Sequence, residues 1–180
     1  MSLLADTLTV LTAYAPTDDD QQRLREQYLR HLAQHPDGIW RQGPPAHLTA
    51  SCFVLDPSRT RVLLTLHRKG GFWVQLGGHL EAGDQTLAGA ALREAAEESG
   101  LADLDLRPSP VGLHRHDLSA AFGRCREHLD VTYVATAPGD RPPVVSNESV
   151  DVAWWPVDQL PPTAAPDLRE RLDQLAGVLR

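Results

Sequence analysis

The first 45 residues place apolar side chains at the spacing of α-helices. In the opening segment they recur every three or four positions, at Leu4, Leu8, Leu11 and Tyr14. This spacing predicts one helix, and QQRLREQYLRHLAQ predicts a second, with Thr17 or Asp18 as its N-cap and HPDG as its end. We therefore predict an N-terminal helical extension over residues 1–45 and a second region over residues 46–180.

From residue 46 the pattern changes to short apolar runs that are typical of β-strands. The change follows the proline-containing segment RQGPPAH. The predicted strands lie in LTASCFVLD, RVLLTLHR, FWVQL, VGLHRHDL, CREHLDVTYVAT and SVDVAWWPV. The turn DPSR joins the first two strands, and the third leads into the pair Gly77–Gly78.

Two further helices are predicted among these strands. The segment from about Thr86 to Ser99 is rich in strong helix formers, and Gly100 is well placed to end it. In PDLRERLDQLAGVLR, Pro166 occupies a favourable first helical position. An apolar stripe follows it, formed by Leu168, Leu172, Leu175 and Leu179. The order of strands, helix, strands and helix predicts an α/β fold.

Composition and charge narrow the possible functions. With 180 residues, 42% of them hydrophobic and 23% charged, the chain can bury a core and is expected to form mainly one domain. Its formal net charge of −7 argues against general nucleic-acid binding. No apolar run approaches the roughly 20 residues needed to cross a bilayer, so we expect no membrane partner. Cys52 and Cys125 each stand alone, which favours the reducing cytoplasm.

The predicted helix before Gly100 carries an unusual concentration of acids. Glu94, Glu97 and Glu98 fall within an arc of about 100° on one helix face. Solvated glutamates are one interpretation of such a charge run, but the upstream glycine pair would allow backbone and ligand to approach closely. A divalent cation would neutralise the converging carboxylates, and their hard oxygens favour Mg²⁺ or Mn²⁺ over Zn²⁺. Arg93 is expected to hold a neighbouring carboxylate in place.

The stretch REAAEESGL, with the glycines before it, resembles the Nudix box of the Nudix hydrolase (MutT-like) superfamily. The resemblance extends through RVLLTLHRK and VAWWPVDQL, and so covers residues 46–180. It implies the Nudix fold, a mixed β-sheet sandwiched between helices. LTAS, WVQLGGH and HLD look like a bacterial group of the family with an N-terminal helical extension.

The front half of the box departs from the family pattern by one residue. Counting five residues from Gly78 leads to Asp84, where the pattern has glutamate, and eight residues then separate it from Arg93 where the pattern has seven. Asp84 is the first choice for this acid and Glu81 the second. A third interpretation leaves the role vacant, because Gln85 holds the strict position.

The resemblance implies hydrolysis of a nucleoside diphosphate linked to another moiety, X, by water attack at phosphorus with Mg²⁺ or Mn²⁺. Glu97 and Glu98 would be the principal metal ligands, and Glu94 a third ligand or the base. The Gly78 carbonyl would be a further ligand, and Arg93 completes the catalytic set. The family also recruits an acid from a later loop, for which Glu148 is preferred over Glu127.

Several other side chains are candidates for substrate binding. His79 follows the glycines and could contact a phosphate or stabilise the turn. His128 alternates with Asp130 on one strand, so the two could form a structural pair or His128 could contact substrate. Arg68 is a phosphate candidate at a strand end.

Other functions and substrates stay open at this point. A Nudix-fold module that senses nucleotides is one alternative, although the intact box argues against it. An isomerase of the same fold would need a catalytic cysteine, and Cys52 lacks the surrounding motif. Nucleoside triphosphates, nucleotide sugars and small diphosphates are all candidate substrates, and the sequence is compatible with a homodimer.

Overall fold

The computed structural model describes residues 1–118, 123–139, 141–145 and 149–179. The chain begins with two helices, Leu3–Ala13 (α1) and Asp19–Gln34 (α2), followed by a 3₁₀ turn at Pro36–Ile39. Asp18 is the N-cap of α2, because its carboxylate accepts a hydrogen bond of 2.8 Å from the Gln21 N–H. The predicted N-terminal helical segment is therefore confirmed.

Eight strands of the described residues form one mixed sheet. Their bounds are Ala46–Leu55 (β1), Arg61–His67 (β2), Trp73–Val74 (β3), Leu76–His79 (β4), Asp105–Leu106 (β5), Gly112–Asp117 (β6), Glu127–Thr136 (β7) and Ser149–Pro156 (β8). The two long strands β1 and β7 pair in parallel at the centre. Strand β1 also pairs antiparallel with β2 and β4, β7 pairs antiparallel with β5 and β6, and β2 pairs with β3 and β8.

Helices cover both faces of this sheet. The box helix Leu87–Ser99 (α3) packs on one face, where Ala95 joins an apolar cluster with Val54 of β1. The helices Leu168–Asp173 (α4) and Ala176–Leu179 (α5) follow β8, and Leu168 joins a cluster with Phe53. Neighbouring residues of a strand point to opposite faces, which is why Phe53 and Val54 meet different helices. The predicted α/β/α arrangement is confirmed. Within the described ranges, no helix has both the length and the apolar composition needed to span a bilayer.

Both ends of α3 follow from its sequence. Thr86 is the N-cap, and its hydroxyl accepts a hydrogen bond of 3.0 Å from the Gly89 N–H. Gly100 ends the helix with φ = 66°, a left-handed conformation that glycine adopts without steric cost. A contact that the local pattern does not predict comes from α1, where the Asp6 carboxylate accepts a hydrogen bond of 2.8 Å from the Leu87 N–H. The extension thus helps to fix the start of the box helix.

Two local predictions were wrong. The glycine pair lies inside strand β4, opposite Ser51 and Ala50 of β1, and does not merely follow a strand. Pro166 is not the first helical residue, because α4 begins at Leu168. The residues just before Pro166 are held against Trp73, whose N–H donates to the Thr163 carbonyl and whose carbonyl accepts from the Ala165 N–H, at 2.9 Å each. Because these residues pair with the Trp73 backbone, the helix begins only after them, at Leu168.

The N-terminal helices share a core with the sheet. Leu11 and Tyr28 are fully buried in one apolar cluster with Leu113 and Tyr133. Buried Gln21 of α2 pairs with the backbone of Leu113 in β6, accepting from its N–H at 2.8 Å and donating to its carbonyl at 2.9 Å. The division at residue 45 stays a prediction, but the helices before it pack as part of the same hydrophobic core.

We predict that Gln21→Ala lowers the free energy of unfolding by about 2–3 kcal/mol, because it leaves the Leu113 N–H and carbonyl buried without partners. Gln22→Ala is the matched control, since the Gln22 side-chain amide donates to Glu26 one turn away on the same helix. It should change stability by no more than about 0.5 kcal/mol. Urea unfolding of the two variants measures the difference, and equal midpoints would show that the Gln21 contact does not stabilise the extension.

Candidate active site

The acidic helix α3 lies against the backbone of β4. The Gly77 N–H donates a hydrogen bond of 2.8 Å to the Glu98 carboxylate, which is buried at 7% exposure. A Cβ atom at Gly78 would lie 2.7 Å from the Glu94 carboxylate, so a side chain there would displace this carboxylate from its position. The glycine pair therefore lets two carboxylates of the helix lie directly against the strand backbone.

Arg93 connects the parts of this site. Its guanidinium donates to Glu94 at 3.0 Å, to Glu97 at 3.1 Å and to the backbone carbonyl of His79 at 3.1 Å. It also makes a bidentate pair with Asp84, at 2.9 and 3.0 Å. The Arg93 guanidinium thus links both ends of the box, from the turn after β4 to the acidic helix face.

Asp84, and not Glu81, contacts Arg93. Burial alone would raise the pKa of Asp84, but hydrogen bonds from Arg93 and from the Glu81 N–H, with the charge of Arg93, outweigh it and lower the pKa below its ordinary value. Glu81 is exposed and contributes its backbone N–H, while Gln85 is exposed and donates to the Gly83 carbonyl. The geometry therefore supports the first of the three interpretations, in which an aspartate one residue out of step reaches the arginine.

The three glutamates of the box helix differ in their exposure to solvent. The side chains of Glu94 and Arg93 are 13% and 21% exposed, whereas that of Glu97 is 60% exposed. Glu98 lies deepest, against β4. The potential metal ligands at this site are carboxylate and backbone oxygens, which are the ligands that Mg²⁺ and Mn²⁺ prefer. The residues present therefore fit a hard divalent cation.

Two other predicted residues, Arg68 and Glu127, contact residues outside the box helix. Arg68 donates a hydrogen bond of 2.7 Å to the carbonyl of Ser149 at the start of β8. Glu127, the second choice for an additional acid, forms an ion pair with Arg115 across β6 and β7. Glu148, the first choice, lies outside the described residues.

The two histidine candidates meet on the other face of the sheet. The ring centroids of His79 and His128 lie 5.0 Å apart, and both lie near His47, at 5.1 and 5.2 Å. The predicted pairing of His128 with Asp130 does not form. Asp130 instead accepts hydrogen bonds from the side chains of Thr49, Ser51, Thr132 and Arg171. Substrate contacts of Arg68, His79 and His128 stay predictions.

Sequence reasoning missed two members of this cluster, His47 and Cys125, which each place a ligand atom within 4.8 Å of ligand atoms of His79 and His128. The sequence places the two residues 78 positions apart by numbering, and no short motif joins them. A weak signal exists, because His47 and His128 stand near the beginnings of HLTAS and HLDVT, two similar strand segments. The parallel pairing of β1 and β7 sets these two histidines directly opposite each other.

The clustered imidazoles are held in their neutral form. Burial lowers the pKa of His79 to about 4, with further lowering from His47 and Arg41. Burial also lowers the pKa of His128 to about 3, with contributions from the neighbouring His116, His79 and His47. Like charges cannot accumulate in this small space, so each ring stays unprotonated near neutral pH.

Comparison with known proteins decides the family. The NUDIX domain model matches residues 45–175, most of the chain. The chain belongs to the NUDIX family. This membership confirms the resemblance to the Nudix hydrolases. A search of the curated proteins finds no significant match.

Solved structures of NUDIX proteins share the fold. A NUDIX-family hydrolase from Clostridium perfringens superposes with a TM-score of 0.62 at 24% identity, over 74% of this chain and 98% of that chain. The E. coli dihydroneopterin triphosphate pyrophosphohydrolase gives 0.60 at 18% identity, over 73% and 95%. The NUDIX domain of Shewanella oneidensis NrtR, complexed with ADP ribose, gives 0.60 at 20% identity, over 84% and 97%. At these identities the likeness shows the fold alone.

We predict that Asp84→Asn lowers the free energy of unfolding by about 1–3 kcal/mol at pH 7, because it removes the charged partner of the partly buried Arg93. Since the pKa of Asp84 is lowered by folding, its stabilising contribution is present above the unfolded carboxyl pKa, about 3.9, and is lost as the pH falls through the folded value. The difference from the native chain should therefore shrink in acid.

Glu81→Gln is the matched control for this comparison, because Glu81 is exposed and gives only its backbone to Asp84. It should leave the unfolding midpoint nearly unchanged at every pH. A larger loss from Glu81→Gln than from Asp84→Asn would assign the first acid of the box to Glu81 instead.

Proposed function

We propose that this NUDIX protein hydrolyses the diphosphate linkage of a nucleoside diphosphate joined to another group, by water attack at phosphorus. The observation that carries the proposal is the contact of Glu94 and Glu98 with the backbone of Gly77 and Gly78, with Glu94 also held by Arg93. Arg93 supplies a single positive charge beside these acids, and the diphosphate of such a substrate would bring a divalent counter-ion that neutralises the remaining charge.

Mg²⁺ or Mn²⁺ would be held by Glu94, Glu97 and Glu98 with the Gly78 carbonyl. When bound, the cation neutralises the diphosphate and lowers the pKa of the attacking water. Glu97 is the most exposed of the three acids and so the most accessible to an incoming metal–substrate complex. Glu98 is fixed in orientation by its hydrogen bond from Gly77.

In the proposed mechanism Arg93 positions these acids, and a general base removes a proton from the attacking water. The guanidinium forms ion pairs with both Glu94 and Glu97. Its positive charge reduces the repulsion between the two carboxylates, and its hydrogen bonds orient them. Glu94 can serve as base or as third ligand. Glu148 is the proposed additional acid, ahead of Glu127, whose carboxylate is already paired with Arg115.

The substrate is proposed at the level of its class. Structural relatives are named for dihydroneopterin triphosphate and for diadenosine tetraphosphate (Ap4A) hydrolysis, and another is complexed with ADP ribose. Each of these compounds contains a nucleoside or pterin attached to a chain of phosphates, so all three belong in a test panel. We also propose a cytoplasmic location, since both cysteines are buried as free thiols.

We predict divalent-dependent hydrolysis of at least one member of a panel of nucleoside triphosphates, dihydroneopterin triphosphate, nucleotide sugars, dinucleoside polyphosphates and ADP ribose. Glu97→Gln and Glu98→Gln should each lower kcat/KM by at least about a hundredfold, because each removes a charge from the metal site. Glu26→Gln, on the exposed face of α2, is the matched control and should keep full activity. Colorimetric phosphate assays with Mg²⁺ and with Mn²⁺ measure these rates, coupled to a phosphatase for the monophosphate products and to an inorganic pyrophosphatase for pyrophosphate.

The same panel separates hydrolysis from nucleotide sensing. If the native chain binds a panel member in calorimetry with a micromolar Kd but hydrolyses none of them with either metal, the sensing module replaces the enzyme. If Glu97→Gln and Glu98→Gln retain native rates, the box acids are not the catalytic metal ligands.

A further inference from the structure

Three imidazoles and one thiol converge on the face of the sheet opposite the box helix. One ligand atom from each of His47, His79, Cys125 and His128 lies within 4.8 Å of the others. His47 is fully buried and Cys125 is 5% exposed, while His79 and His128 are half-buried. The four residues come from β1, β4, β7 and the segment just before β7. This group is called the histidine–cysteine cluster below.

The cluster has unsatisfied buried nitrogen atoms. The Nε2 atoms of His47, His79 and His128 are buried, and no protein group among the described residues hydrogen-bonds to them. Buried polar atoms are nearly always paired, because leaving one unpaired costs about 1–3 kcal/mol. Three such atoms in one small space indicate a ligand that accepts several lone pairs at once.

His47 is already arranged as a metal ligand. Its Nδ1 lies 3.1 Å from the Pro44 carbonyl, which can accept a hydrogen bond only if Nδ1 carries the proton. Nε2 then presents its lone pair to the cluster. Ligating histidines in proteins usually donate their second ring N–H to a carbonyl or carboxylate in this manner, which fixes both tautomer and ring orientation.

The chemistry and geometry of the cluster select the ion. Imidazole and thiolate ligands suit Zn²⁺, whereas Mg²⁺ prefers oxygen. In a tetrahedral zinc site, with bonds of about 2.0–2.3 Å, the ligand atoms lie about 3.3–3.6 Å apart. Drawing the four atoms together by about 1 Å would reach this spacing. Four protein ligands also close the coordination sphere, which is typical of a structural site and not of a catalytic one.

We propose that the histidine–cysteine cluster binds one structural Zn²⁺ ion, with His47, His79, His128 and the Cys125 thiolate as its four ligands. On binding, the thiol releases its proton to solvent. The ion would tie together β1, β4 and β7 on the face that α3 does not cover. This role would account for His79 and His128 without a contact to substrate.

The zinc site and the box would share strand β4 without sharing an ion. The Gly78 position faces the Glu94 carboxylate, and successive residues of a strand point to opposite faces, so the His79 ring points away from α3. The backbone carbonyl of His79 still accepts from Arg93. Zinc would therefore stabilise the strand end that Arg93 uses to position the box acids.

Metal analysis of the full-length chain tests the proposal without measuring hydrolysis. After removal of metals with a chelator and reconstitution with micromolar Zn²⁺ in the presence of millimolar Mg²⁺, mass spectrometry of the metals should find about one zinc per chain. Zn²⁺ should raise the Tm by at least about 5 °C, because it binds the folded state. With Co²⁺ in its place, the native chain should show a thiolate-to-cobalt absorption band in the near ultraviolet.

Variants assign the ligands. Cys125→Ser should abolish the cobalt–thiolate band, and His47→Ala or His128→Ala should weaken zinc binding by at least about tenfold. His35→Ala, an exposed histidine outside the cluster, is the matched control and should bind zinc normally. Glu98→Gln should also keep its zinc while losing hydrolysis, which separates this proposal from the proposed function.

Two outcomes would overturn the zinc site. One is a folded native chain that retains less than about 0.1 zinc per chain and shows no cobalt–thiolate band after reconstitution. The other is zinc binding that Glu98→Gln abolishes and Cys125→Ser leaves intact, which would place the ion in the box. If cluster variants fail to fold, the cobalt spectrum and zinc content of the native chain still decide the question.

Discussion

The candidate active site depends on the placement of one guanidinium group. Arg93 has four acceptors, namely Asp84, Glu94, Glu97 and the backbone carbonyl of His79. The hydrogen bonds to Asp84, together with the negative charges of Asp84 and Glu94, raise the pKa of Arg93 further above its ordinary value. The guanidinium therefore stays positively charged. Without this charge, three carboxylates on one helix face would repel one another and lose their common alignment.

Strand β4 carries the consequences of this arrangement to both faces of the sheet. Gly78 faces the helix, and the Glu94 carboxylate occupies the space that a Cβ there would need. His79 faces the opposite side and joins His47 and His128. Successive residues of a strand point to opposite faces of the sheet. The oxygen ligands of the box and the nitrogen and sulfur ligands of the histidine–cysteine cluster therefore lie on opposite faces, next to adjacent residues of β4.

The N-terminal helices belong to the frame that holds this site. Asp6 accepts from the first N–H of α3, and Gln21 pairs with both backbone groups of Leu113 at the edge strand β6. Both contacts satisfy backbone groups that an isolated sheet and helix would expose to water. The NUDIX model begins at residue 45, yet the helices before it are bonded to the box helix and to the sheet.

Features that depend on local spacing can be read from the amino-acid sequence alone. Helix α3 could be predicted because Thr86 and Gly100 act through hydrogen bonds and φ angles within a few residues, and the acid face follows from 3.6 residues per turn. The acid that contacts Arg93 could not be identified in this way, because Asp84 reaches the guanidinium through a turn whose shape does not follow from the number of residues in it. The histidine–cysteine cluster likewise required the parallel register of β1 and β7, which is set by packing between distant segments.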